Sequence, residues 1–310
     1  ISFYKGLGPA IQFTLTYNSH SRDRGQFGSG WSFSFESSLQ EKGDQIVLKK
    51  GSGQSLRFRT GRPPGTGSEG KPVEAMDLSG SGDRLLDYGT HWLYLPKGAR
   101  ISYRYLRTPG KNTIPLHAIS DFDGNVVTLD YSPDGVIPGI TDAAGRTTRF
   151  ESSTGLCTGF VLPDGKRSSF LYDKSGHLIS VNDLEGIPVR YEYNSSGLLT
   201  LMEVGKDRKR TVFHYNVSTL SAITDAAGYT TGYQMEKNVV RIIDPLGNTT
   251  TYSNINGKTV KIINPLGEGE IFEYEGGHRV GHKDGKANGS RMTLDVAGNP
   301  AQYTSPNGER

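Results

Sequence analysis

The residues of this 310-residue chain that could do chemistry are few and poorly grouped. Gly65-Thr-Gly67-Ser-Glu-Gly70 matches G-x-G-x-x-G, the pattern that brings a backbone close to a pyrophosphate. No strand-like string precedes it and no helical pattern follows, so it reads as part of a flexible surface loop over residues 61–70. Asp121-Phe-Asp123-Gly-Asn125 begins like a calcium loop, yet its glycine stands fourth rather than sixth and Ser132 occupies the place of the closing Glu. His278 and His282 share a face of either a helix or a strand. Gly276, Gly277, Gly281 and Gly285 argue against the helix, and no third ligand is evident. Cys157 is the single cysteine, which excludes an intrachain disulfide and a cysteine zinc cluster; within Leu156-Cys-Thr-Gly-Phe it reads as a small buried hydrophobe. Asn194, Asn216, Asn248 and Asn288 each open an Asn-x-Ser/Thr triplet, a sequence that also arises readily in Asn- and Ser-rich turns. No catalytic, cofactor-binding or metal-binding residue is assigned, and the chain is expected not to be an enzyme.

Carboxylates are abundant, but their spacing follows the backbone. Asp121-Phe-Asp-Gly124, Asp142-Ala-Ala-Gly145, Leu162-Pro-Asp-Gly165 and Asp183-Leu-Glu-Gly186 come first. Asp225-Ala-Ala-Gly228, Asp244-Pro-Leu-Gly247, Asn264-Pro-Leu-Gly267, His282-Lys-Asp-Gly285 and Ser305-Pro-Asn-Gly308 follow. Their glycines lie 18–23 residues apart, except for one interval of 42 that spans two units with a degraded turn. A fixed period of this size marks a repeat architecture. Asp or Asn opens such a turn through its own side chain, and Gly supplies positive φ. A second turn signal, Tyr-[Asp/Asn]-x-x-Gly, divides the best copies, as at Tyr172–Gly176 and Tyr193–Gly197. Two strands and two turns in about 20 residues make one β-hairpin per repeat. Val189, Tyr191 and Tyr193 alternate with Arg190 and Glu192, which separates a packed face from a wet one.

Composition agrees. The chain has 41 Gly and 28 Tyr plus Phe, with few helix-forming stretches, so the expected fold class is all-β: stacked antiparallel hairpin repeats in a curved, spiralling sheet. Two regions are expected. Residues 1–115 lack the period and form an irregular β segment that caps the first edge of the sheet; residues 116–310 form an array of about nine hairpin units. Net charge is +3, with 16 Lys+Arg against 9 Asp+Glu in residues 1–115. Arg57, Arg59 and Arg62 are the densest basic group and read as a solvated strand face, so no nucleic-acid partner is expected. No run approaches the roughly 20 apolar residues of a spanning helix, so membrane insertion is not expected. The chain opens at Ile1 without Met or a basic-apolar leader and is expected to be a segment of a longer polypeptide.

The pattern Gly-x₄-[Phe/Tyr]-x-Tyr-[Asp/Asn]-x-x-Gly-x-Leu resembles the Rhs/YD-repeat family. Tyr172-Asp173, Tyr193-Asn194 and Tyr131-Ser132-Pro-Asp-Gly135 carry the tyrosine–aspartate signature with modest departures. Thr16-Tyr17-Asn18-Ser19 with Gly25-Gln-Phe27-Gly28-Ser-Gly30-Trp31-Ser32 looks like the segment that commonly precedes such arrays. The resemblance implies a β-sheet wound into a hollow shell. In bacterial members that shell encloses a C-terminal toxic polypeptide, whereas teneurin-like members use it as a cell-surface scaffold. It also implies a secreted or cell-surface protein, with the toxin domain of the same parent as partner and secretion-system components or cell-surface glycans as further candidates. The family's Pro-rich closing element is absent from these residues; Asp244-Pro-Leu-Gly247 sits in repeat phase and reads as a turn. The chain is therefore expected to be the first part of a shell. The alternative is an adhesin or carbohydrate-binding scaffold using exposed aromatics such as Trp31 and Trp92.

Overall fold

The structure, a computed structural model, describes residues 3–4, 8–21, 24–275, 278–286, 288–295 and 300–309. Among these there is no helix, and every paired strand is antiparallel. The chain divides into two compact units, one of residues 1–191 with 204–207 and one of residues 192–203 with 208–310. Packing ties the first hairpins of the array to the residues before them.

The turns explain the period. At Asp142 the carboxylate Oδ1 accepts the N–H groups of Ala144 and Arg146, each at 2.9 Å, and Oδ2 accepts Arg146 Nε at 3.0 Å. The same pair of N–H groups, two and four residues on, reaches Oδ1 of Asp121, Asp173, Asp183, Asn194, Asp225, Asp244 and Asn264. Amides that a tight turn would strand are thus satisfied locally, and the glycine in fourth place takes positive φ, as at Gly145 (76°). One turn differs from expectation. Asp284, not His282, opens it, accepting Lys286 and Asn288 N–H at 2.9 and 2.8 Å, while His282 stays in the strand His278–Lys283. Only an Asx side chain can take both amides, so the turn starts at the aspartate.

The second turn of each unit is less uniform than the best copies suggest. Between the strands Thr147–Ser153 and Leu156–Val161 it is a tight reversal with Thr154 at φ 53°. Val217 and Asn256 take the same left-handed conformation, at 57° and 50°. The long glycine interval contains a turn at 205–208 without the Asp-x-x-Gly sequence. A bulge falls just before the signature tyrosine: register shifts lie at Leu171/Tyr172, His214/Tyr215 and Glu273/Tyr274. There the tyrosine hydroxyl donates to a carbonyl of the preceding strand, from Tyr172 to Cys157 at 2.7 Å and from Tyr274 to Thr259 at 2.9 Å. Tyr131 does the same to Leu116 at 2.6 Å. The hydroxyl satisfies an acceptor where the bulge interrupts the ladder.

In the first unit, residues 38–121 do more than continue the sheet. Eight strands run from Ser38–Lys42 to Thr113–Asp121, and the last returns to the first through Ile114↔Leu39, closing a ring. Closure removes the free edge that capping was expected to protect. The ring is filled by side chains: Leu39, Ile46, Leu48, Phe58, Leu85, Trp92 and Ile114 are wholly buried. In Ser55–Arg59, Leu56 and Phe58 point inward while Arg57 and Arg59 face solvent. Thr113–Asp121 then pairs with Val126–Leu129, and the hairpin ladder proceeds to Pro188–Tyr193. The second unit carries a ladder from Lys209–Asn216 to Pro300–Thr304.

Two measurements of thermal unfolding test the turn. Asp142→Ala removes three acceptor contacts and should destabilise the chain by roughly 2 kcal/mol, while Asp142→Asn, which keeps Oδ1, should cost clearly less. Gly28→Ala should lower the melting temperature more than Gly186→Ala. Both glycines have positive φ, but at Gly28 a Cβ would lie 2.4 Å from the backbone carbonyl oxygen of Gly176, while the space around Gly186 is open.

Candidate functional site

The most elaborate arrangement in the molecule lies on one face of the first ladder. Residues 11–21 and 24–35 cross that face as short paired segments, Leu15–Tyr17 with Trp31–Phe33 and Arg24–Gly25 with Gly28–Ser29. They bring their rings onto the aromatic row of the hairpins. Phe13 stacks on Phe160 at 4.7 Å between centroids, Phe27 meets Phe170 edge-on at 5.2 Å, and Trp31 lies 4.9 Å from Tyr191. Phe33 and Phe35 complete the cluster with Phe150. Alternation in the strand Trp31-Ser-Phe33 places both rings on one side, and Trp31, Phe33 and Phe35 are all buried.

Beside this contact lies a cavity of about 810 Å³ bordered by Arg24, Gln26, Trp31, Glu36, Lys50 and Tyr131. Glu36 accepts the backbone N–H groups of Gln26 and Phe33, each at 3.0 Å. Burial nevertheless dominates and pushes its carboxyl up to about 7, against the lowering effect of those two bonds. Gln26 links the site inward: its side-chain oxygen accepts Ile137 N–H at 3.0 Å, and its carbonyl accepts Cys157 N–H at 2.6 Å. Nothing in sequence pattern distinguishes Glu36 or Gln26, since their environment is made by residues far along the chain.

The expected candidates resolve individually. Residues 61–70 are tied down rather than loose: Gly65 N–H donates to Asp87 Oδ2 at 2.6 Å, and Ser68 bridges Lys71. Asp87 is wholly buried and pairs with the half-buried Arg107, whose guanidinium also binds Glu41 at 2.8 Å and lies 4.9 Å over the Trp92 ring. Asp121 spends Oδ1 on Asp123 and Asn125 N–H and Oδ2 on Asn125 Nδ2; that last bond, ahead of the backbone ones, holds its carboxyl low. Among the described residues no cluster of three or more His, Cys, Asp or Glu could hold a metal. His278 and His282 stand on one strand, where His282 stacks on Phe272 at 5.3 Å and approaches Glu270 at 3.3 Å; Gly276 and Gly277 lie outside the described residues. Cys157 is buried, its thiol pushed up to about 12 by that burial, which leaves it protonated and inert. The four Asn of the Asn-x-Ser/Thr triplets are all exposed. Trp31 and Trp92 are buried, 7% and 0% exposed, so neither ring is available to stack on a sugar.

Glu36 generates a pH dependence of known sign. Its folded-state pKa lies above the unfolded value, so its stabilising contribution is complete below about 4.5 and is lost as pH rises through about 7. Melting temperature measured from about pH 5 to about pH 8 should therefore contain a falling component that Glu36→Gln abolishes. An unchanged slope in the variant counts against a raised carboxyl.

Residues 4–58 match a family model described as a domain of unknown function, DUF6531. No curated protein matches the chain. Solved structures similar to it include the TcdB2-TccC3-Cdc42 complex (10% identity, TM-score 0.36, 90% of this chain and 22% of that one). Others are TcdB2-TccC3 without its hypervariable C-terminal region (11%, 0.38, 89% and 21%) and the Tc holotoxin pore of Photorhabdus luminescens (11%, 0.39, 96% and 22%). The chain spans about a fifth of the length of these structures.

Proposed function

We propose that the chain is a wall segment of an exported Rhs-type shell that encloses a C-terminal toxin of the same parent polypeptide. The observation that carries this reading is the aromatic row of the hairpin ladder, which already covers a stretch of non-ladder chain, residues 11–21 and 24–35, on one face. The tyrosine–aspartate repeats add the family resemblance. The mechanism is physical rather than catalytic. Turn carboxylates are consumed by backbone amides, so the repeats build a sheet, while the apolar face shields polypeptide from solvent and from proteases. An adhesin built from the same repeats is the other reading, but the tryptophans it would use are inside the protein.

Limited proteolysis of the parent polypeptide tests the proposal. The region after the array should be cut at least about tenfold more slowly when joined to the wall than when expressed alone, as expected where cleavage requires exposure of the chain. Equal cleavage rates would overturn it, and a glycan-array signal lost on replacing one exposed aromatic, such as Tyr229, would favour the adhesin.

A further inference from the structure

The sequence contains three Asn-Gly dipeptides, Asn256-Gly257, Asn288-Gly289 and Asn307-Gly308. In such a pair the glycine nitrogen can attack the side-chain carbonyl carbon of the asparagine, since glycine has no Cβ to block the approach. An intramolecular attack depends on how often the two atoms meet in the right geometry, and hydrogen bonds to either group hold them apart. Exposure does not distinguish the three asparagines, all of which face solvent.

Their hydrogen bonds do. Asn288 is held twice by Asp284, its backbone N–H donating to Oδ1 at 2.8 Å and its side-chain Nδ2 to Oδ2 at 3.1 Å. A Cβ placed on Gly289 would also lie 2.8 Å from Lys283 Cγ, so that glycine is crowded. Gly308 donates its own N–H to the Ser305 carbonyl at 2.9 Å. Neither constraint exists at residues 256–257. The strands Thr249–Ile255 and Lys258–Ile263 pair as far as Ile255↔Lys258, which leaves Asn256 and Gly257 as the whole loop. Among the described residues neither the Gly257 N–H nor the Asn256 side chain has a hydrogen-bond partner. The space beside Gly257 is open. The equivalent loops Thr154-Gly155 and Val217-Ser218 have no side-chain amide at the first position.

We propose that Asn256 is a deamidation site, converted to aspartate and isoaspartate through attack by the Gly257 nitrogen. That nitrogen bonds to Asn256 Cγ and gives up its proton, the Cγ–Nδ2 bond breaks, and Nδ2 leaves with the proton as ammonia. A five-membered succinimide remains. Water then adds to one of the two ring carbonyl carbons and opens the ring. Addition at Cγ restores the ordinary backbone with an aspartate side chain. Addition at the backbone carbonyl carbon routes the chain through Cβ and Cγ as isoaspartate. The sum is amide plus water giving acid plus ammonia, with no oxidant or metal required. Isoaspartate inserts an extra backbone atom into a loop of two residues, so the closing pair Ile255↔Lys258 loses its register. The next rung is held separately, by Thr259 Oγ1 donating to Asn254 Oδ1 at 2.8 Å, which confines the damage to the hairpin tip.

The test incubates the folded whole chain in mildly alkaline buffer, where more of the attacking amide is deprotonated, and follows all three pairs by tryptic peptide mapping with mass spectrometry. Asn256 should convert at least about fivefold faster than Asn288 or Asn307, the scale set by one hydrogen bond that each of the others must break. Aspartate and isoaspartate should both form, as two peptides separable by chromatography. In urea the three rates should draw together, because the folded chain makes the difference. Asp284→Ala, which frees the Asn288 side chain, should speed conversion there and leave Asn256 unchanged. Conversion at Asn256 no faster than at either other pair in the folded chain would overturn the proposal. So would the same ranking in urea, which would make neighbouring sequence rather than structure the cause. Aspartate formed without isoaspartate would also overturn it, since that product comes from direct hydrolysis rather than attack by Gly257.

Discussion

The side-chain oxygen at the head of each Asx turn is the constraint on which the rest depends. A tight reversal exposes amides that must find an acceptor, and one Asp or Asn oxygen takes two of them at once. With the turn so closed, its length cannot drift. Strand lengths, hairpin period and the recurrence of one aromatic at one height all follow. A loose turn would let strands slip in register by a single position, which would move every ring to the other face. Using the carboxylates this way also removes them from chemistry: Asp121, Asp244 and Asp284 are held ionised first by the side-chain amide of the Asn that closes the turn, then by turn amides.

Given a regular ladder, two further needs arise in the first unit and are met by different parts of the same region. The free edge is removed when Ile114 returns to Leu39 and the eight strands close. The apolar face is covered by residues 11–21 and 24–35, whose rings insert among Phe150, Phe160 and Phe170. The buried charges serve this closure. Arg107 bridges Glu41 and Asp87, which lie on different strands of the ring, while Asp87 also anchors the loop at Gly65. Removing Arg107 would leave the wholly buried Asp87 without its counter-charge, a far larger cost than losing a surface pair.

Much of the fold is legible in residue order because its determinants are local. The Asx turns, prolines at Pro245 and Pro265, and alternation in Val189–Tyr193 each act over a short span, so hairpins and faces can be read directly. The register of one turn could not, because His282-Lys-Asp-Gly285 and Asp284-Gly-Lys-Ala overlap and only the amide geometry selects Asp284. The candidate site was much less legible. Trp31 and Trp92 read equally well as surface or core from composition, and their burial depends on partners such as Tyr191 and Arg107 that lie on other strands. The raised carboxyl of Glu36 comes from the packing around it, to which no neighbour in sequence points.

By itself, then, the sequence determined an all-β chain of hairpins with one apolar face, a regular repeat period, and aspartates committed to backbone. Those properties rest on contacts between residues within a turn or on adjacent strands. Tertiary structure alone decided that residues 38–121 close into a ring and that residues 11–21 and 24–35 lie on the aromatic row. The reason is sequence separation. Ring closure joins Leu39 to Ile114 and face covering joins Trp31 to Tyr191, and over such spans loop entropy and three-dimensional packing, rather than local propensity, select the partner.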